Sequence, residues 1–374
     1  MFASLLTVNK LTMFNKKIQT FKIISITLLL TLGATTMAGI HFINKAKAAS
    51  ATTFDWQASE SAPKSYPMKI IAGNFYSPNG DSLYVPNGVK LHHGWGRGRS
   101  SHVVGEDLKS LPNRLSISFF SYSENQFYNG EFTLPYEKIL ALFQTGHYSP
   151  KDEDHITYDE ITVGVAPGGA VSVWVVSLDR TVEIFFGYAD KEEGSWASIN
   201  DNPNITREKY IRSGIQNALE AEQLSPEAIA TIKKSPIPLG LWERYHKNRY
   251  NWQPLFTNMP VYGGRIDYIK YYNRERDYID IPVKENQAES TRAVPSLLDF
   301  TWNRPFAKPL RLKLSFNEDE IFSAFEKLGS NNQPLQFEMR MEPEKNYSFT
   351  IWLKNKTESL EIKQTKVETY GIPE

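Results

Sequence analysis

Phe54-Asp55-Trp56-Gln57 and Tyr250-Asn251-Trp252-Gln253 stand 196 positions apart and read alike. At the same spacing Tyr66 meets Tyr262, Lys69 meets Arg265 and Ile70 meets Ile266. Phe75-Tyr76 then meets Tyr271-Tyr272, Asp81 meets Asp277, and Pro86 meets Pro282. Seven identities within residues 54–86, without a gap, mark an internal repeat. Leu83 and Val85 fall on Ile279 and Ile281, which keeps the two-residue period of a strand.

Further along, the spacing shrinks, as a shorter loop in the second copy requires. Pro112, Leu115, Ile117 and Phe119 match Pro295, Leu298, Phe300 and Trp302, each set an alternating strand introduced by proline. Phe132, Leu134, Ile139 and Phe143 match Leu314, Phe316, Ile321 and Phe325. Pro135 suits the first turn of a helix there, and Glu137 and Glu318-Asp319-Glu320 suit its positive end. Trp174 to Ile184 has the spacing of Trp352 to Ile362. Hairpins are expected at Ala166-Pro-Gly-Gly169 and near Pro343-Glu-Lys-Asn346. Between the copies, Thr206 to Ser235 reads as helical and breaks at Ser225-Pro226, where Ser caps and Pro opens a second helix.

The fold expected is therefore α+β and β-rich. Two repeated strand-helix-strand units, antiparallel sheets each with one packed helix, are joined by a helical linker. The units span 54–190 and 250–370, with the loop and helical linker at 191–249.

Residues 1–48 hold six lysines and no acid, and Ile23 to Ile40 is an 18-residue run without charge. Ala46-Lys47-Ala48 reads as a small-x-small cleavage site. The segment is expected to be either a signal peptide or an N-terminal membrane anchor, the run being near the lower limit for a span. Either role places the body in the cell envelope, in the periplasm. The chain carries 42 basic and 42 acidic residues, so the remainder holds 36 against 42, a net charge of −6. That argues against a nucleic-acid partner. The absence of cysteine excludes thiolate metal sites, thiol catalysis and lipidation at an N-terminal Cys.

A set of segments then reads together. They are Trp56 with Ala62-Pro63-Lys64 and Tyr66-Pro67, Gly94-Trp95-Gly96, Leu111-Pro112, Ser121-Tyr122-Ser123-Glu124 with Phe127-Tyr128, and Leu134-Pro135. Val163-Gly164-Val165-Ala166-Pro167-Gly168-Gly169, Leu241-Trp242, Tyr250-Asn251-Trp252 and Tyr271-Tyr272-Asn273 complete it. Over nearly all of 54–370 this resembles the domain-of-unknown-function family numbered 2931, a family of proteobacterial envelope lipoproteins. The resemblance implies no enzyme activity and no catalytic residue. Some members are encoded beside lipase-like antibacterial effectors of type VI secretion, which implies an immunity protein. Thr36-Met37-Ala38-Gly39 resembles the end of a lipoprotein signal but lacks its cysteine, so lipid anchoring is excluded here.

The loop from Lys90 to His102 carries His92, His93, Trp95, Arg97, Arg99 and His102 between glycines. It reads as a structural loop, as a contact for a protein partner, or, least, as a metal or anion site. These six residues are the partner-binding candidates; no catalytic, cofactor or metal-binding set is assigned. Ala166-Pro-Gly-Gly169 lacks the Lys-Ser/Thr and helix of a phosphate loop. Glu124 beside Phe127-Tyr128 lacks the second carboxylate that glycoside hydrolysis needs, Arg304 and Lys308 standing in the corresponding region of copy two. Glu243 to Lys247 is a charged helix turn or loop, and no G-x-S-x-G elbow exists. The function expected is occlusion of a secreted effector by a non-catalytic envelope protein. The alternatives are a scaffold binding a resident partner, and an enzyme on envelope glycans or lipids.

Overall fold

The computed structural model describes residues 50–100, 102–149, 154–258, 264–280, 291–302, 308–331, 333–342 and 348–371. The N-terminal apolar run, Tyr262, Ile281, Pro282, Arg304 and the turn at 343–346 lie outside the described residues. Thr53–Glu374 form one compact unit, which holds all the strands among the described residues.

The first repeat comprises β1 (Gln57–Ser61), β2 (Met68–Tyr76), β3 (Ser82–Tyr84), β4 (Arg114–Ser121) and β5 (Gln126–Thr133). Helix α1 (Tyr136–Thr145) follows, then β6 (Glu160–Ala166), β7 (Ala170–Val176), β8 (Thr181–Tyr188) and β9 (Asp190–Glu192). Three helices connect to the second repeat: α2 (Arg207–Ala221), α3 (Pro226–Lys234) and α4 (Leu241–Lys247). The second repeat runs β10 (Arg249–Thr257), β11 (Gly264–Tyr271), β12 (Arg276–Asp280), β13 (Thr291–Ala293), β14 (Pro295–Trp302) and β15 (Leu310–Ser315). It closes with α5 (Glu318–Gly329), β16 (Leu335–Glu342), β17 (Ser348–Lys354), β18 (Ser359–Glu361) and β19 (Lys366–Gly371).

Both repeats are wired alike. β4 pairs with β2 and β5, as β14 pairs with β11 and β15. β1 runs parallel to β6, as β10 runs parallel to β16, and the other pairings among the described residues are antiparallel. A parallel pair needs a long crossover, and in each repeat the helix lies within it. Alternation sets the faces. Along β4, Leu115, Ile117 and Phe119 point inward, and along β14 Leu298 and Phe300 do. α1 buries Ile139 and Phe143, and α5 buries Ile321 and Phe325, the matched positions. The connecting helices start where their caps stand. Thr206 accepts from the Lys209 N–H, and Ser225 accepts from the Ala228 N–H with Pro226 opening the helix.

The repeats do not close separately. β8 of the first pairs with β12 of the second at Thr181 and Arg276. The result is one nine-stranded sheet in the order β1-β6-β7-β8-β12-β11-β14-β15-β19. A six-stranded sheet built on β9-β5-β4-β2-β3 belongs to the first repeat, and a five-stranded one, β13-β10-β16-β17-β18, to the second.

The gapless match of 66–86 onto 262–282 does not hold at the β2–β3 and β11–β12 turns. In the first, the Ser77 N–H donates to the Asp81 carbonyl and the Gly80 N–H to the Ser77 carbonyl. In the second the same two bonds join Tyr271 to Glu275 and Arg274 to Tyr271. Gly80 thus corresponds to Arg274, a spacing two residues shorter than the sequence match. Gly80 has φ +93° and Arg274 has φ +71°. A left-handed position that glycine fills at no steric cost in one copy holds an arginine in the other.

Candidate functional site

The Lys90–His102 loop is braced along β1. The Gly94 N–H donates to the Ala62 carbonyl, the Gly96 N–H to Ser61 Oγ at 3.0 Å, and the Arg99 N–H to the Glu60 carbonyl. The Ser100 hydroxyl donates to Glu60 Oε1 at 2.7 Å. Burial pushes the Glu60 carboxyl up, against the opposing pull of Ser100.

The six candidate residues part company here. Trp95 is turned inward and is 5% exposed. Its ring stands edge-on to Trp174 at 5.0 Å and tilted on Trp242 at 6.1 Å. As a partner contact Trp95 is therefore corrected: its indole joins β7 and α4 to the loop. His92 and His93 are half-buried and stack on each other at 4.7 Å. Burial lowers both, and neighbouring cations add to it. Two adjoining rings whose protonation is disfavoured are a poor anion trap. Among the described residues no group of three His, Asp or Glu side chains is placed to hold a metal. Arg97, Arg99 and His102 are exposed. Arg99 donates to the Lys90 carbonyl at 2.9 Å, and His102 Nδ1 is hydrogen-bonded to the Tyr84 hydroxyl at 2.6 Å.

Arg97 does not stand alone. With Gly96 and Gly98 it lines a cleft of about 580 Å³ whose other walls are Glu160, Val176, Thr181, Lys270, Tyr271, Arg274 and Arg276. The cleft lies on the seam, with one wall from each repeat. Lys270 is the penultimate residue of β11, Arg274 sits at the left-handed turn position, and Arg276 opens β12. Gly96 makes the approach possible. A Cβ there would lie 2.7 Å from Arg274 Cβ and 3.2 Å from the Trp174 ring. Arg97, Lys270 and Arg274 form no ion pair among the described residues. Arg276 donates to the Leu178 carbonyl at 2.9 Å and lies 3.9 Å from Asp179. Arg274 is exposed; the protein walls beside it lower its guanidinium first, and Arg97 second. Lys270 is lowered by burial and then by Arg276 and Arg274. Arg97, Lys270 and Arg274 are exposed and Arg276 is half-buried, so the cleft is open to solvent. Burial raises Glu160, and its carboxylate accepts from the Thr162 hydroxyl.

Behind the cleft a buried polar network ties the repeats. The Trp174 indole N–H donates to the Asn273 carbonyl at 2.9 Å. Glu183 accepts from Ser172, from Asn273 at 3.0 Å, and meets His246 Nδ1 at 3.0 Å. Glu275 accepts from Arg249 and from the Glu183 N–H. Each carboxylate is satisfied, as burial requires.

The other sequence candidates resolve into turns. Glu124 accepts from the Tyr128 hydroxyl at 2.8 Å and from the Gly168 N–H at 3.0 Å, which clamps the Ala166–Gly169 turn. Gly169, at φ +80°, leaves no room for a side chain beside the Ala189 carbonyl. Glu243 to Lys247 lies within α4.

The family profile described as protein of unknown function (DUF2931) matches residues 43–240, just over half of the chain. The chain belongs to this family. The match covers the first repeat and ends before α4, so the motif segments at 241–273 lie beyond it. No curated protein and no solved structure matches the chain.

Proposed function

We propose that this DUF2931 protein is an exported cell-envelope protein that works by binding. Its partner is a secreted, lipase-like antibacterial effector whose active site it occludes in the periplasm. The observation that carries the reading is the presentation of Arg97 and Arg99. Both are exposed on a loop pinned along β1 by three backbone N–H donors and anchored by the buried Trp95. A backbone pinned in advance loses little freedom on docking, and arginine recurs at the centres of tight interfaces. The basic, apolar N-terminal segment supports export, and no helix among the described residues is long and apolar enough to cross a membrane.

The test is affinity capture with the full chain as bait and secreted proteins of the source strain as prey, followed by assay of the captured protein's lipase activity. The reading expects one lipase-like protein, inhibited in the complex, and at least about a tenfold loss of affinity with Arg97→Ala and Arg99→Ala together. Capture of resident envelope proteins alone would move the assignment to a scaffold.

A further inference from the structure

We propose that the cleft on the seam is a binding site for a phosphate monoester, gripped by Arg97, Lys270, Arg274 and Arg276. The proposal goes beyond the protein partner and does not depend on it.

Three observations converge. First, four cations line one cleft with a single carboxylate, Glu160, and three of the four have no ion-pair partner among the described residues. Four like charges with only Glu160 in the cleft and Asp179 beside Arg276 to offset them repel one another and disfavour the empty site. An anion entering the cleft relieves that repulsion.

Second, Arg274 occupies a left-handed backbone position where the sister turn has Gly80. Keeping an arginine there costs free energy that glycine would not, and the turn itself has no need of the guanidinium. Its two hydrogen bonds are backbone bonds that glycine makes equally well in the first repeat. Strain held at a cleft wall points to the side chain's use. Gly96 leaves the space in which that side chain lies.

Third, the charge and the size of the cleft select the ligand. Three guanidinium groups and an ammonium exceed what one carboxylate neutralises. A phosphate monoester brings nearly two charges and three acceptor oxygens, and planar guanidinium forks match its geometry. At about 580 Å³ the cleft falls in the range of small-molecule sites and leaves space beyond the phosphoryl group. Glu160 and Thr181 offer polar contacts to the body of the ligand.

The test is calorimetric titration of the full chain with glycerol 3-phosphate, soluble dihexanoyl phosphatidic acid and glutamate. The expected result is saturable binding of the phosphates with Kd below about 1 mM. Arg274→Gly should weaken it at least about tenfold, the factor one charge-assisted hydrogen bond supplies, with a melting temperature equal to or above wild type. Lys270→Gln should weaken it as well. Tighter binding of phosphatidic acid than of glycerol 3-phosphate identifies a lipid headgroup, and equal binding identifies a soluble phosphomonoester. The proposal is overturned if neither phosphate binds or if glutamate binds as well. Binding that survives both substitutions, or failure of Arg274→Gly to fold, overturns it too.

Discussion

At the residue scale, position 274 carries most of the meaning. It lies in Lys270-Tyr-Tyr-Asn-Arg274-Glu-Arg276, where the sequence shows only a turn with scattered cations. What hides it is the two-residue slip between the turns, which sets Arg274 against Pro78 in a gapless match instead of against Gly80. Trp95 is legible as a residue that packs back, yet its partners Trp174 and Trp242 are 79 and 147 positions away and no local pattern names them. Gly96→Ala should destabilise the fold, because a methyl group must displace Arg274 Cβ and the residue keeps φ +61°. Thermal melting of the variant checks this. Glu60 gives a pH prediction. Its carboxyl is raised from 4.5 by burial, so it holds a proton more firmly folded than unfolded. Its contribution favours the fold below 4.5 and is lost as pH rises through the raised folded value. The stability of Glu60→Gln relative to wild type should therefore increase from about pH 4 to about pH 8 in urea titrations. A difference independent of pH would contradict the assignment.

At the scale of the element, the sequence speaks most clearly. The Ser225-Pro226 break, the Thr206 cap, the Ala166–Gly169 hairpin and both packed helices stand where their side chains place them. Each follows from near-neighbour chemistry, in which the deciding residues lie within a turn of one another. Thr206→Ala should cost about 1 kcal/mol by removing the acceptor for the Lys209 N–H. Phe143→Ala and Phe325→Ala should each cost about 3–5 kcal/mol, because both rings are buried at the matched position of α1 and α5. Chemical denaturation of the three variants checks these values. A far smaller cost at Phe325 would mean that α5 does not pack as α1 does. Registers are less legible. Leu115 faces Phe75, whereas its counterpart Leu298 faces Ile269 and not Tyr271, the gapless match of Phe75. A strand can shift by two residues and keep every side chain on its own face, so the alternation pattern alone does not reveal the slip.

For the whole molecule, the repeat is readable in the sequence and its consequence is not. Two copies of one unit suggest two units each with its own sheets, but β8 and β12 join them into one nine-stranded sheet, through the pair Thr181 and Arg276 among the described residues. The buried contacts from Trp174 and Glu183 to Asn273 strengthen that joint. Neither copy alone contains the cleft, since Arg97 and Glu160 come from one and Lys270, Arg274 and Arg276 from the other. The most direct measurement of this account is scanning calorimetry of the full chain with and without glycerol 3-phosphate. One transition spanning both repeats is predicted, moving to higher temperature as the phosphate is raised, by about 2.7 kcal/mol of stabilisation at about one hundred times Kd. Two transitions, or one that ignores the phosphate, would contradict a binding site assembled across the seam.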